Sequence, residues 1–248
     1  MLSPTPAGSN MAPQSSASVR PTRARDTVLI FAATLAIITY IDRVCISKSA
    51  DLMMGDLKLT KEQMGMAFSA FGWAYALFEI PGGWLGDKIG PRKVLMRVVL
   101  MWSIFTMLTG WSWGLVSLVA FRFCFGIGEA GCFPNLTKAF TIWFPSAERV
   151  RAQGIMWVSA RWGGAFTPLL VVLVLNYLTW RQAFTVFGGL GIVWAVLFYR
   201  WFRDDPREHP GVNAGELAIM GDVSANVSTH GSVPWGKLIS SRTVWLLW

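Results

Sequence analysis

The sequence predicts an all-α membrane protein: six transmembrane helices, then a polar linker and the start of a seventh helix. Three observations carry this reading. The 248 residues are 53% hydrophobic and 15% charged, against about 25% charged in soluble domains. Six apolar runs, at 27–46, 65–85, 94–113, 115–133, 154–175 and 183–202, each approach the roughly 20 residues that a bilayer core requires of a helix. The basic residues are unevenly shared between the segments that join those runs.

Residues 1–26 are rich in Ser, Pro and Ala and end in Arg20, Arg23 and Arg25, without the apolar stretch of a cleaved signal. They read as a disordered cytosolic tail. A transit peptide is the competing reading, against which stand the frequent prolines and the lack of an amphipathic face. The six-helix domain follows over 27–202. With an inside amino terminus, the cytosolic segments hold Arg20, Arg23, Arg25, Lys88, Arg92, Lys93, Arg97, Lys138, Arg149, Arg151, Arg200, Arg203 and Arg207, and the opposite loops only Lys48, Lys58, Lys61 and Arg181. The positive-inside rule then puts both ends of the six-helix block in the cytosol.

The stretch 203–234 turns polar and rich in Gly, Ser and Pro, the composition of a cytosolic linker. From 235 to 248, "WGKLISSRTVWLLW" becomes apolar again from Thr243 and stops after too few residues to cross a bilayer. It reads as the truncated start of a second transmembrane half, and the chain as a fragment.

A net charge of +8 does not mark a nucleic-acid protein, because the basic residues are dispersed among loops and form no stripe. Cys45, Cys124 and Cys132 lie in apolar runs without paired or metal-ligand spacing and read as packing residues. There is no nucleophile and base pair, metal constellation or cofactor loop, so neither an enzyme nor a cofactor is expected. "GIGEAG" lacks the strand and turn of a nucleotide loop, and its glycines suit close helix packing.

Between the second and third runs stands "GGWLGDKIGPRKV". A tight reversal between helices needs glycine, and Pro91 restricts the turn. Gly83, Asp87, Lys88, Gly90, Arg92 and Lys93 resemble the loop signature of the major facilitator superfamily. That resemblance implies that the loop gates a rocking bundle, its acid pairing with a base or capping a helix in one state.

A narrower likeness lies in "RFCFGIGEAGCFPNLTKAFTIWFPSAERVRAQG", 122–154, through Arg122, Gly126, Gly128, Glu129, Phe133, Pro134, Trp143, Phe144, Pro145, Glu148 and Arg149. Together with "YIDRVCIS" and "PWGKLISSRTVW", it resembles the anion:cation symporter family within that superfamily. Such proteins have twelve spans in two halves, which makes this chain an amino-terminal half. The resemblance implies carriage of small organic anions such as sugar acids, commonly with protons, across the bacterial inner membrane. An organophosphate-for-phosphate antiporter is the close alternative, and a non-transporting receptor or regulatory half-protein the distant one.

Charges at depth in a membrane point to function by default. Asp42 and Arg43 lie about 6 Å from the outer end of their run at 1.5 Å per residue, where Arg43 can snorkel and Asp42 less easily. Arg122 falls at a similar depth, and Glu129, seven residues on, shares its helix face. One polar cluster of Asp42, Arg43, Arg122 and Glu129 is therefore expected on the first and fourth spans, corresponding places in a repeat-built transporter.

Arginine presents a planar fork that grips a carboxylate. A carboxylate out of water takes a proton more readily, and one beside an arginine less so. A substrate that drew an arginine away from Asp42 or Glu129 would thus favour protonation. The family resemblance implies substrate binding at Arg43, proton coupling at Asp42 and Glu129, and tuning of those acids by Arg122. Tyr40 and Tyr75 are further substrate-binding candidates, although a membrane tyrosine fits a packing interface equally. Glu79 fits a gate or a buried hydrogen bond, and Arg161 a closure or a lining of the pathway. The partners implied are an organic anion, protons, the lipid bilayer and a second six-helix half.

Overall fold

The computed structural model describes residues 20–221 together with Ser240 and Ser241. The expected seventh-helix start and most of the amino-terminal tail fall outside the described residues. The described residues are all-α: α1 (Ala24–Leu57), α2 (Lys61–Ile89), α3 (Pro91–Gly110), α4 (Leu115–Glu129), α5 (Cys132–Trp143), α6 (Ser146–Leu175), α7 (Trp180–Trp201), a short 3-10 turn (Pro206–Glu208) and α8 (Ala214–Met220). These make six spans, because α4 and α5 follow one another through a break and act as one. Five spans are long and apolar enough to cross a membrane by composition alone, and α2 has the length without the hydropathy.

The element ends follow local chemistry. Thr60 and Gln63 form a reciprocal capping box at the start of α2, and Thr179 and Gln182 do the same for α7, each box satisfying two orphan donors. Gly90 takes φ of +85°, open to glycine without a Cβ clash, and Pro91 at the first position of α3 already has helical φ. The second left-handed glycine, Gly131 at φ +86°, sits in the break between α4 and α5. A Cβ there would lie 2.8 Å from the Gly82 backbone, so α2 crosses the break with the two main chains in contact.

The helices pack in pairs, α3 on α7, α1 on α6 and α2 on α4, with α3 also against α4. Two apolar clusters fill the bundle. One surrounds Trp102, Phe125, Phe140, Trp143 and Phe198 at the end rich in Lys and Arg, hereafter the basic end. The other surrounds Ile46, Met53, Leu118 and Phe184 toward the opposite end.

Two boundaries differ from the sequence reading. α1 begins at Ala24 and continues to Leu57, well past the apolar run that ends at Ile46. Part of the expected linker is folded: Val212, Leu217 and Met220 join the basic-end cluster. Glu216, wholly buried, accepts hydrogen bonds from Ala24 N at 3.2 Å, Arg25 N at 3.0 Å and the Thr22 hydroxyl. Asn213 accepts from Thr22 N and donates to Arg20 O. Residue Arg23, at the N-cap of α1, makes no capping bond. Glu216, 192 residues on from Ala24 in the sequence, supplies that cap at the basic end, where a carboxylate also meets the positive end of the helix dipole.

Two outcomes follow from this clasp. Glu216→Ala removes a charged acceptor shared by three donors and should cost on the order of 2 kcal/mol, read as faster amide hydrogen exchange at residues 24–28; unchanged exchange would exclude the cap. His209 packs 4.4 Å from the Trp201 ring, and burial, with the Arg203 charge, holds its imidazole below the ordinary 6.5. A depressed histidine contributes stability above its unfolded value and loses it as pH falls through the folded one. Protection factors over 206–220, in which the intrinsic pH dependence of amide exchange is divided out, should therefore fall on acidification below pH 6.5 in the parent and not in His209→Gln; pH-independent protection in the parent would contradict this.

Candidate substrate and proton site

Asp42 and Arg43 stand in the middle of α1, not near its end, because the helix runs on to Leu57. Successive residues turn by about 100°, so the two side chains point to different neighbours. Asp42 is buried, beside the Trp102 indole of α3 and within electrostatic reach of Arg122 and Glu129. Arg43 turns toward α2 and α4. Its Nε donates to Glu129 Oε1 at 2.5 Å, and its Cζ lies 4.7 Å from the Tyr75 ring centroid, 5.3 Å from Phe71 and 5.9 Å from Tyr40. The Arg43 side chain is 24% exposed and Glu129 is fully covered, so the pair is reached from the arginine side.

Glu129 is the last residue of α4. An anion there meets the negative end of the helix dipole, and Arg43 offsets the charge. Arg122 is 2% exposed, with Cζ 4.4 Å from the Phe125 ring and 5.0 Å from Phe71. Phe71 thus lies against both guanidinium groups. Their approach requires glycine on α4. A Cβ on Gly126 would fall 2.7 Å from Phe71 O, and one on Gly128 would fall 2.8 Å from Trp102 N.

The cluster retains unused hydrogen-bonding capacity. Among the described residues, both Asp42 carboxylate oxygens, Glu129 Oε2, Arg43 Nη2, Arg122 Nε, Trp102 Nε1 and Thr106 Oγ1 are buried without a hydrogen-bond partner. Such groups in low dielectric are costly unless a ligand, proton or water meets them.

The structure thus gathers Asp42, Arg43, Arg122 and Glu129 into one cluster, with Tyr40 and Tyr75 against Arg43. It adds Glu79, whose Oε1 accepts from the Tyr75 hydroxyl at 3.3 Å, a helix i,i+4 contact that spacing alone could have flagged. Arg161 lies apart on an exposed part of α6.

The loop residues form a separate group at the basic end. Asp87 pairs with Lys138 of α5 at 2.7 Å, and the same ammonium donates to Gly86 O. Gly83 lies against Pro134, and Lys88 covers the Trp84 ring at 5.1 Å. The guanidinium of Arg92 donates to Tyr199 O at the end of α7. Its backbone N–H donates to Asp204 at 2.8 Å. Burial pushes the Asp204 carboxyl above the usual range, while that N–H and the Arg92 and Lys93 charges oppose the shift. The α2–α3 turn is therefore tied to both α5 and α7. The Lys138 partner was missed in the sequence, where it read as one more loop charge.

Comparison with known proteins adds the family context. Residues 32–248 match the Major Facilitator Superfamily. The chain is 41% identical over 227 residues to the "Probable sulfoacetate transporter SauU" of Cupriavidus necator, covering 91% of this chain and 52% of that protein. It is 34% identical over 205 residues to the D-galactonate transporter of Escherichia coli, covering 83% and 47%. The chain spans about half the length of the curated relatives it matches. Among solved structures, a bacterial homolog of the human lysosomal transporter Spinster, inward-facing and unoccupied, superposes with a TM-score of 0.65 over 87% of this chain and 47% of that one, at 23% identity. At that identity the likeness concerns the fold.

Gly126→Ala tests how α4 is placed. The added methyl must push α4 from α2 and should destabilise the protein by about 1–3 kcal/mol, lowering the midpoint of thermal unfolding in detergent, whereas Gly154→Ala, with open space around its Cβ inside α6, should leave it unchanged or raise it. Equal midpoints in all three proteins would contradict the packing described.

Proposed function

The chain belongs to the major facilitator superfamily, and from that premise we propose that it supplies the amino-terminal half of a proton-coupled organic-anion symporter in the bacterial inner membrane. The observation that carries this reading is the buried Arg43–Glu129 ion pair within a four-charge cluster. Two relatives named for organic acids, sulfoacetate and galactonate, support the same substrate class.

The mechanism rests on competition for one guanidinium. Arg43 can offer its fork to Glu129 or to a substrate carboxylate. When Asp42 and Glu129 are ionised, they balance Arg43 and Arg122, and the cluster is neutral. An entering anion upsets that balance at a depth where uncompensated charge is expensive. A proton on Glu129 restores neutrality and releases Arg43 to the substrate, so anion and proton travel together. Asp42, beside Arg122, is the second protonation site. The Tyr40 and Tyr75 rings lie 5.9 and 4.7 Å from the guanidinium and in this reading offer hydroxyls to a polar substrate.

Alternating access needs the second six-helix half, whose residues complete the pathway. The basic end faces the cytosol by the positive-inside rule. There the Asp87–Lys138 pair and the Arg92–Tyr199 contact hold the α2–α3 loop in one of its two states.

The complete reading frame in proteoliposomes should accumulate sulfoacetate, galactonate or glucarate under an inward proton gradient. A panel without gradient-dependent uptake would overturn the proposal, and phosphate exchange without a proton requirement would replace it with antiport. Arg43→Ala should lower uptake about 10- to 100-fold, the equivalent of one charged hydrogen bond. Asp42→Asn and Glu129→Gln should retain counterflow exchange while losing gradient-driven accumulation; parent-like coupling in both would remove their assigned role.

A further inference from the structure

The face of α1 opposite the charge cluster carries a trough that the mechanism above leaves unused. At about 100° per residue, Thr27, Thr34 and Ile38 stand roughly 160°, 180° and 140° from Arg43 on the helix circumference. With Leu190, Val193 and Leu197 of α7 they line a cavity of about 480 Å³. Ile37 and Ile41, at the other edge of the same cavity, meet Trp162 and Phe166 of α6. α1 is thus the floor of a trough whose walls are α7 and α6. A second half that completes the pathway around Arg43 leaves this opposite flank to the lipid.

The trough is apolar and suits a hydrocarbon chain. Trp194 Nε1 donates to the Thr34 hydroxyl at 3.0 Å, and that hydroxyl donates to Ile30 O at 2.8 Å, so these polar groups are satisfied within the protein. Ile30, Val193 and Leu197 are each more than half exposed. Along α1 the trough runs from Thr27, at the basic end, to Ile41, about 21 Å at 1.5 Å per residue. One leaflet of a 30 Å hydrocarbon core is about 15 Å deep. An acyl chain of one leaflet therefore fits lengthwise, and the positive-inside rule makes that leaflet the cytosolic one.

Two arginines stand at the mouth of the trough. Arg23 is one turn before Thr27, about 40° from it around α1, and Arg200 in the last turn of α7 is about 20° from Val193. Phe31 meets the rings of Trp194, Phe198 and Trp201. From that level Arg200 lies less than one turn, and Arg23 about two turns, nearer the basic end. Both are exposed, and neither guanidinium has a hydrogen bond or ion pair among the described residues. Neighbouring arginines are engaged: Arg25 with Glu148, Arg92 with Tyr199 O and Arg203 with Arg200 O. Asp26, the nearest acid in the sequence, is about 20° from Ile37 around α1, on the side that packs on Gly163 of α6.

We propose that the trough is a binding site for an anionic phospholipid of the cytosolic leaflet, with an acyl chain along α1 and the headgroup phosphate between Arg23 and Arg200. The apolar walls hold the chain, and the unpaired guanidinium groups, on side chains long enough to reach the headgroup level, grip the phosphate through paired hydrogen bonds. The lipid bridges α1 and α7 from outside the bundle, and because it binds the folded protein it stabilises that protein.

The test titrates the protein of the complete reading frame, purified in detergent, with phosphatidylglycerol, with phosphatidylcholine of the same chains, and with glycerol 3-phosphate as a headgroup without chains. The midpoint of thermal unfolding should rise with phosphatidylglycerol and change little with the other two. Joint replacement Arg23→Gln and Arg200→Gln should weaken the apparent affinity at least 10-fold, since each basic group near an anionic surface contributes roughly 5-fold. Arg151→Gln, at an exposed arginine on α6, should not weaken it. Val193→Trp, which fills the trough and keeps both arginines, should. Equal shifts with the two phospholipids, an equal shift with glycerol 3-phosphate, or an equal loss in Arg151→Gln would overturn the proposal. So would parent-like affinity in the double arginine variant, or in Val193→Trp, the result expected of a trough covered by the second half. The readout is binding and not transport, so the symport proposal stands or falls separately.

Discussion

The contact between Arg43 and Glu129 is the constraint on which the centre of the bundle depends. A fully covered Glu129 and a largely covered Arg43 must meet, because leaving either charge alone is more costly than joining them. That requirement brings the middle of α1 to the end of α4, and the remaining features accommodate it. Gly126 and Gly128 let α4 approach α2 and α3 closely. Phe71 supplies a ring against both guanidinium groups. The break at Ala130 and Gly131 ends α4 immediately after its acid and redirects α5 along α2. Packing alone would favour apolar residues at these positions, which is the physical ground for the function proposed above.

Around this centre the bundle is tied at its basic end. Glu216 and Asn213 fasten the segment after α7 to the start of α1, and Arg25 reaches Glu148 of α6 at 3.5 Å. Asp87 and Arg92 secure the α2–α3 turn to α5 and α7. Long helices are thus fixed where their ends would otherwise fray. The site sits on rigid elements while its ion pair stays reachable from the Arg43 side, the arrangement that a binding group needs in order to exchange partners.

Much of this was legible in the residues, for definite reasons. The apolar runs marked the spans, and the seven-residue step from Arg122 to Glu129 placed both on one face because helical period is a property of spacing alone. The extent of the first helix was read less well. The run containing Asp42 ends at Ile46, but Lys48, Ser49 and Asp51 continue the helix to Leu57, since hydropathy reports contact with lipid and not helix length. Glu216 was hidden by separation: its partners lie more than 190 residues away, and nothing local in a polar stretch announces a distant cap. Asn213 three residues before Glu216 was the one available signal, an N-cap spacing. Lys138 was likewise read by its charge when its meaning lay in the Asp87 that faces it.

The central claim is that substrate and Glu129 compete for Arg43, with the proton deciding between them. Calorimetric titration of the parent and Glu129→Gln proteins with one transported anion, repeated from pH 5.5 to 8.5, tests it most directly. The parent should bind progressively more weakly as pH rises, because ionised Glu129 reclaims the guanidinium, and Glu129→Gln should bind tightly with a flatter profile. The same pH dependence in both proteins would contradict the account.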